Sequence, residues 1–173
     1  MTRLFALGAM VCLAAATVEA PVKIAGTITC RARSVQQLSL PVGDQPDHVI
    51  TLSQGKCAWT KPFLLGGSPV KESTEVNVTD AAGGAMRGYG YDIGAVASGD
   101  KYFVRYEAAS RLQNGIVVGG SGTWSFTGGT GKLSRLQGSG TYTCKGSAAG
   151  SSCDIVGQAM LSATAVPAQK GGY

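Results

Sequence analysis

The chain has 173 residues, of which 44% are hydrophobic, only 14% are charged and 26 are glycine. This composition excludes intrinsic disorder, because disordered chains combine few apolar residues with a high charge content. The net charge of +5 comes from basic residues that form no run along the chain, which argues against a nucleic-acid partner.

The first 20 residues have the three-part order of a secretory signal peptide. Arg3 precedes an apolar run over residues 4–16, and small residues follow this run. The run is shorter than the roughly 20 residues that a permanent membrane helix needs. Cleavage after Ala16 and cleavage after Ala20 both satisfy the small-residue rule, and we favour Ala20 because the β pattern begins directly after it. We therefore predict a signal-peptide helix over residues 1–20 that is removed on export, and a secreted or periplasmic protein without a transmembrane segment.

About 150 residues remain after this segment, which suits a single domain. No stretch of the domain has a sustained helical period of apolar residues. We predict one β domain over residues 21–166 and a disordered tail over residues 167–173.

Apolar residues at every second position indicate half-buried β-strands in three segments. The residues predicted to face inward are Val22, Ile24, Ile28 and Cys30 in the first segment, Thr74, Val76 and Val78 in the second, and Tyr102, Val104, Tyr106 and Ala108 in the third. Further strands are predicted at residues 49–53, 57–61, 86–92, 116–126, 136–144 and 154–163. Glycine-rich turns separate them, and Asn114-Gly115 is the strongest signal for a tight hairpin.

A seven-residue motif occurs twice, as GSGTWSF at residues 120–126 and as GSGTYTC at residues 138–144. In each copy two glycines share a strand face with an aromatic residue, Trp124 or Tyr142. Glycine removes bulk where a sheet coils sharply, and an aromatic ring can fill the space. Many short antiparallel strands with such corners avoid exposed edges by closing on themselves. The predicted fold is an all-β closed antiparallel barrel of about eight strands, with a β-sandwich as the alternative.

Four cysteines follow the signal peptide, namely Cys30, Cys57, Cys144 and Cys153. An even number in an exported chain predicts two disulfides, although four cysteines allow three connectivities. The short Gly/Ser-rich segment between Cys144 and Cys153 favours that pair, which leaves Cys30 for Cys57. A metal site is disfavoured, because the chain has no Cys-x-x-Cys pair and His48 is its single histidine.

The segment TWSFTGGTGKL at residues 123–133, followed by QGSGTY at residues 137–142, resembles the signature of the barrels of allene oxide cyclases and plant dirigent proteins. In those families a Gly-Gly-Thr-Gly-Lys/Arg turn leads into a strand with a Gly-x-Gly element. The chain is more similar still to a group of uncharacterised secreted bacterial proteins that share these motifs and a strand like KYFVR at residues 101–105. The resemblance covers the C-terminal third well and the rest weakly. It implies an eight-stranded barrel and transfers no catalytic residue to this chain.

Two segments resemble nucleotide-binding motifs, but neither matches the consensus. A phosphate loop at Gly131-Lys132 would need glycine in place of Phe126 and Ser or Thr in place of Leu133. Residues 88–94 have the wrong glycine spacing for a dinucleotide site and no surrounding βαβ pattern. We therefore predict no cofactor and no metal.

Function is expected inside the barrel or at its mouth, where a concave apolar pocket can hold a small molecule. The candidate interior residues are Glu72, Tyr102, Tyr106, Trp124 and Tyr142. Glu72 has the strand phase of Val76, and an inward carboxyl of raised pKa would suit proton transfer or cation stabilisation. The alternative interpretation is that the aromatic residues only fill the core and that Glu72 is solvated.

Three hypotheses follow from this pattern. The first, which we favour, is a non-catalytic protein that binds a small apolar ligand or a partner at the cell envelope. The second is a cofactor-free isomerase or cyclase of the allene oxide cyclase type, in which a dry pocket restrains a reactive intermediate. The third is a structural barrel that forms homo-oligomers through its outer face, with Phe103 as an exposed apolar contact.

Overall fold

The computed structural model describes residues 20–32 and 34–161, and this part of the chain is almost entirely β. The strands are β1 (Val22–Arg31), β2 (Gln36–Pro41), β3 (Val49–Lys61), β4 (Leu64–Leu65), β5 (Ser68–Ala82), β6 (Ala85–Val96), β7 (Lys101–Gln113), β8 (Ile116–Gly129), β9 (Leu136–Ser147) and β10 (Gly150–Leu161). One turn of 3-10 helix at Gly131–Leu133 lies between β8 and β9. The sequence pattern predicts most of these strands but misses β2 and β4, and it divides β3 into two.

Eight of the strands form a closed antiparallel barrel. Their order around the ring is β3-β1-β10-β9-β8-β7-β6-β5, and the pairing of β5 with β3 completes it. The two remaining strands lie outside the ring, where β2 pairs with β3 and β4 pairs with β5. The predicted eight-stranded barrel is confirmed, and the β-sandwich alternative is wrong because a sandwich consists of two separate stacked sheets.

The predicted signal peptide lies outside the described residues except for residue 20, and the predicted C-terminal tail lies wholly outside them. Within residues 20–32 and 34–161, no helix has the length and apolar character needed to cross a membrane.

Aromatic side chains inside the barrel lie over glycines of the neighbouring strand. The two copies of the repeated motif form the adjacent strands β8 and β9, where Trp124 pairs with Gly140 and Tyr142 pairs with Gly122. A Cβ atom on either glycine would overlap the ring opposite it. The two copies therefore interlock, since each supplies the ring that covers the other's glycine. The expectation that an aromatic ring fills the space left by glycine is confirmed, with the ring coming from the next strand.

The same arrangement extends to β6 and β7. Tyr102 pairs with Gly94 and Tyr106 pairs with Gly90, and neither glycine has room for a Cβ atom under its tyrosine. Tyr102 and Tyr106 point into the barrel because successive side chains of β7 alternate between its two faces, in the predicted phase.

One end of the barrel is filled by a hydrophobic core. The core residues come from the strand ends at that side and from the 3-10 turn: Ile24, Leu65, Val70, Val96, Tyr102, Trp124, Phe126, Leu133, Leu136 and Ala159. Leu133 is 1% exposed and Leu136 is 2% exposed. The Gly-Thr-Gly-Lys turn therefore helps to close this end of the barrel, which we call the plugged end.

The alternation predicted for β5 has the wrong phase. The sequence pattern places Val76 on the inner face, but Val76 is 41% exposed and Glu75 lines the interior instead. The pairing of β5 with β6 shifts register between Val70 and Ser73, and the two residues between them are both exposed. Such a bulge inserts one residue and moves every later side chain to the opposite face.

The tight hairpin predicted at Asn114-Gly115 is confirmed. Both residues have positive φ, 51° and 74°, which is the conformation of a two-residue turn whose twist matches that of the strands. Asparagine and glycine are the residues that tolerate this backbone conformation.

Both predicted disulfides are confirmed, and each joins residues directly opposite each other in an antiparallel pair. Cys30–Cys57 links β1 to β3, and Cys144–Cys153 links β9 to β10. The β1–β3 ladder has only four residue pairs, fewer than any other ladder of the ring. The Cys30–Cys57 bridge therefore reinforces the shortest seam of the barrel.

Removing Cys30–Cys57 is expected to destabilise the barrel more than removing Cys144–Cys153. The two bridges have sequence separations of 27 and 9 residues, for which loop-closure entropy predicts losses of about 3.5 and about 2.6 kcal/mol. Urea denaturation of the C30A/C57A and C144A/C153A variants measures both losses. A larger loss in C144A/C153A would show that the β1–β3 seam does not depend on its bridge.

Candidate functional site

A cavity of about 480 Å³ occupies the barrel next to the plugged end. This volume lies within the range of roughly 300 to 1,000 Å³ that small-molecule sites occupy. The mouth lies between the β7–β8 hairpin, the β9–β10 hairpin and the end of β1, and it includes Arg31, Gly115, Ile116, Ser147 and Ala148.

The walls of the cavity are mainly apolar and aromatic. Trp59 and Phe63 pack edge to face with ring centroids 4.8 Å apart, as do Trp124 and Phe126 at 5.0 Å. Trp59 Nε1 also donates a hydrogen bond of 2.9 Å to the hydroxyl oxygen of Tyr102. Rings held by neighbouring rings, glycines and a buried hydrogen bond form a cavity whose shape exists before any ligand enters.

Four of the five predicted interior residues line this cavity, namely Tyr102, Tyr106, Trp124 and Tyr142. Tyr106 and Tyr142 face each other edge to face, with ring centroids 6.3 Å apart. The fifth, Glu72, is wrong as an interior residue, because it is exposed and lies at the β5 bulge, on the outside of the barrel.

Two carboxyl groups that the sequence pattern does not identify line the cavity instead. Glu75 and Asp92 are directly opposite each other in the β5–β6 pairing, so their side chains are neighbours on the inner face. Asp92 alternates with Gly90 and Gly94, which lie under the inward-facing tyrosines. That glycine pattern is the one sequence signal that could have placed Asp92 inside.

Glu75 accepts a hydrogen bond of 3.1 Å from the Tyr106 hydroxyl to its Oε2 atom. Burial raises the pKa of Glu75, and the Tyr106 hydrogen bond opposes part of this effect. Burial also raises the pKa of Tyr106 far above its ordinary value, with the Glu75 charge as a further cause. Tyr106 therefore keeps its proton and acts as a hydrogen-bond donor to Glu75.

Asp92 is the most perturbed acid of the site. Burial raises its pKa to about 7, the neighbouring Ser73 hydroxyl opposes part of this effect, and the nearby Glu75 charge adds to the increase. The Asp92 Oδ1 atom and the Ser73 hydroxyl are both buried, and neither makes a well-aligned hydrogen bond within the described residues. A buried acceptor without a donor is unfavourable, so Asp92 is suited to exchanging a proton near neutral pH or to receiving a donor from a ligand.

The interior contains no counter-charge for these acids among the residues that the structure describes. Among the described residues, Arg31 is the only basic residue that lines the cavity, and it is exposed at the mouth. Burial raises the pKa of Tyr142 to about 12, so this ring stays neutral at physiological pH. The cavity is therefore apolar with acidic groups.

One group of three residues within the described part of the chain has the spacing of metal ligands. Atoms of Cys30, Cys57 and Glu75 lie within 4.8 Å of one another. The two sulfurs are bonded to each other in a disulfide, whereas metal sites use cysteine as a free thiolate. These residues do not form a tetrahedral thiolate site.

The single histidine lies outside the cavity and binds two carboxylates. His48 Nδ1 contacts Asp44 Oδ1, and His48 Nε2 lies 2.9 Å from Asp80 Oδ1. The Asp44 hydrogen bond is the largest cause that raises the pKa of His48, and the same bond lowers the pKa of Asp44. Both ring nitrogens are occupied, so His48 ties the β2–β3 loop to β5 and is not positioned as a general base.

The outer face of the barrel carries exposed apolar side chains on β2, β3, β5 and β6. They include Leu38, Leu40, Leu52, Val76, Tyr91 and Ile93. Phe103, predicted to be exposed, is half-buried and pairs with Ile93. Assembly of copies through this face stays a prediction.

No protein-family model matches the chain, and no curated protein sequence matches it.

The stability of the barrel is expected to depend on pH through Asp92. Because its pKa rises from 3.8 in the unfolded chain to about 7 in the fold, folding is penalised progressively as pH rises from about 4 to about 7. D92N should remove this penalty, so it should be more stable than the wild type at pH 8 by up to about 4 kcal/mol. Urea denaturation at pH 5 and pH 8 measures the difference. E72Q is the matched control and should behave as the wild type, whereas a pH dependence unchanged in D92N would contradict the burial of this carboxyl.

His48 is expected to titrate above its ordinary pKa of 6.5. Stability that comes from charged His48 is present at low pH and is lost as pH rises through the raised pKa, while the Asp44 contribution is lost as pH falls through its lowered pKa. NMR titration of the His48 ring should show the raised midpoint, and D44N should lower it. A midpoint at or below 6.5 in the wild type would contradict the two carboxylate contacts.

Proposed function

We propose that this protein is an exported binding protein that holds a small apolar ligand inside its barrel. The cavity is the observation that carries the proposal, since it combines a volume of about 480 Å³ with aromatic walls and an open mouth. Interiors of small barrels are filled by side chains unless they hold a ligand. Here the interior is filled only at the plugged end.

The small inner residues toward the mouth support the proposal. Gly88 and Ala108 lie side by side on β6 and β7 and line the cavity, and Ser110 follows on the inner face of β7. Larger side chains at Ala108 and Ser110 would fill the cavity. Space of this kind lowers stability unless a ligand occupies it.

Export is the second part of the proposal. The N-terminal segment has the pattern of a secretory signal, and disulfides such as Cys30–Cys57 and Cys144–Cys153 persist in oxidising compartments. The proposed location is the periplasm or the cell exterior.

A cofactor-free isomerase or cyclase is the second candidate, and the Asp92 carboxyl favours it. A group with a pKa of about 7 can both accept and donate a proton at neutral pH. The pair of Tyr106 and Glu75 lies in the same apolar space, and the resemblance to allene oxide cyclases points the same way. In that case D92N would abolish turnover of a bound compound without abolishing its binding.

Ligand binding is tested with N-phenyl-1-naphthylamine, an uncharged dye whose fluorescence increases in apolar sites. The A108W substitution places an indole in the cavity, because Ala108 lines it. A109W is the matched control, since Ala109 is the next residue and is exposed. We expect saturable dye binding in the wild type and in A109W, and at least tenfold weaker binding in A108W.

Equal binding in A108W and the wild type would place the dye outside the barrel and contradict the proposal, provided that circular dichroism shows both proteins folded. Native mass spectrometry of the protein purified from its exported fraction gives an independent test. A co-purifying small molecule that is lost in A108W would support the proposal.

A further inference from the structure

We propose that the ligand of this cavity is a protonated amine on an apolar skeleton. The inference rests on the proposed function and adds the chemical class of the ligand. Its basis is the juxtaposition of two carboxyl groups and a set of aromatic rings in one cavity, in which Arg31 at the mouth is the only basic lining residue among those described.

The carboxyl groups supply the acceptors. Asp92 is half-buried, but its Oδ1 atom is buried and makes no well-aligned hydrogen bond among the described residues, although the Ser73 hydroxyl lies beside the carboxyl. Glu75, directly opposite, uses one oxygen to accept the Tyr106 hydrogen bond. An ammonium group has three donors and one positive charge, so it can satisfy Asp92 Oδ1 and neutralise this acidic site together.

The walls supply a second attraction for a cation. Eight aromatic residues line the same cavity as the two acids, and they include Trp59, Tyr102, Tyr106, Trp124 and Tyr142. The faces of such rings attract ammonium groups, and the attraction grows where water is excluded. The apolar remainder of the ligand would pack against the same rings and against Ile28 and Ile155.

Other ligand classes fit less well. A carboxylate or phosphate would bring negative charge next to Glu75 and Asp92, and the nearest basic residue among those lining the cavity is Arg31 at the mouth. A neutral hydrocarbon would supply no donor to Asp92 Oδ1, to which the Ser73 hydroxyl donates no well-aligned hydrogen bond. A neutral alcohol supplies one donor but no charge. The expected order of affinity is amine, alcohol, carboxylate.

The test compares three compounds that share one skeleton: 2-naphthylmethylamine, 2-naphthylmethanol and 2-naphthoate. Isothermal titration calorimetry at pH 7 with the disulfide-bonded protein gives the Kd of each. We expect the amine to bind at least tenfold more tightly than the alcohol, and the carboxylate to bind most weakly.

Variants assign the preference to the two acids. D92N and E75Q should each reduce the preference for the amine over the alcohol to less than about threefold, with little change in the Kd of the alcohol. E72Q removes an exposed carboxylate from the same strand and should keep the full preference. Because E75Q and D92N change different strands, either one that folds by circular dichroism is sufficient for the comparison.

The outcomes separate this inference from the proposed function. If the alcohol binds as tightly as the amine in the wild type, the amine inference is overturned while apolar binding stands. A preference for the amine that persists in D92N and E75Q also overturns it, since the acids would not be its cause. If none of the three compounds binds and N-phenyl-1-naphthylamine also fails, the proposed function itself is wrong.

Discussion

Packing of aromatic rings on glycines of the adjacent strand is the constraint on which the barrel depends. Tyr102 lies over Gly94, Tyr106 over Gly90, and Trp124 over Gly140. A small ring of eight strands has too little inner volume for large side chains at every inward position. When an aromatic side chain lies beside a glycine, the strands can stay close together while the aromatic side chain points inward. It also fixes register, because a slip of one residue would place a side chain under the ring.

The same constraint divides the interior into two parts. Toward the plugged end, the rings meet Leu133, Leu136 and the other core residues and fill the space. Toward the mouth, the inner positions are small residues such as Gly88 and Ala108, and no ring covers them. The cavity lies between the aromatic rings and these small residues, and the disulfide Cys30–Cys57 forms part of its wall.

Two buried carboxyl groups determine the electrostatic properties of this cavity. Charged groups are strongly disfavoured in apolar surroundings, so burial raises the pKa of both Glu75 and Asp92. Their opposite positions on β5 and β6 strengthen the effect for Asp92, because the Glu75 charge adds to the increase in its pKa. Acids kept in this way are common at functional sites. A barrel built for stability alone would have apolar residues there.

Much of the architecture could be predicted from local pattern. The alternation around Tyr102 and Tyr106 identified inward rings correctly, the Gly-aromatic repeat indicated closure, and the cysteine count predicted two bridges. Asn114-Gly115 determined its own turn, since few residues accept its backbone angles. These features depend on neighbours in the chain or on composition, and a single sequence contains both.

The sequence by itself determined the β content, the strands with rings over glycines and the number of disulfides. Only the tertiary structure decided which carboxyls are inside. The bulge between Val70 and Ser73 reverses the phase of β5, so Glu72 lies outside and Glu75 inside. A bulge is set by register with β3 and β6, which closure of the ring imposes from distant parts of the chain. Burial and pKa depend on that closure, and no local pattern encodes them.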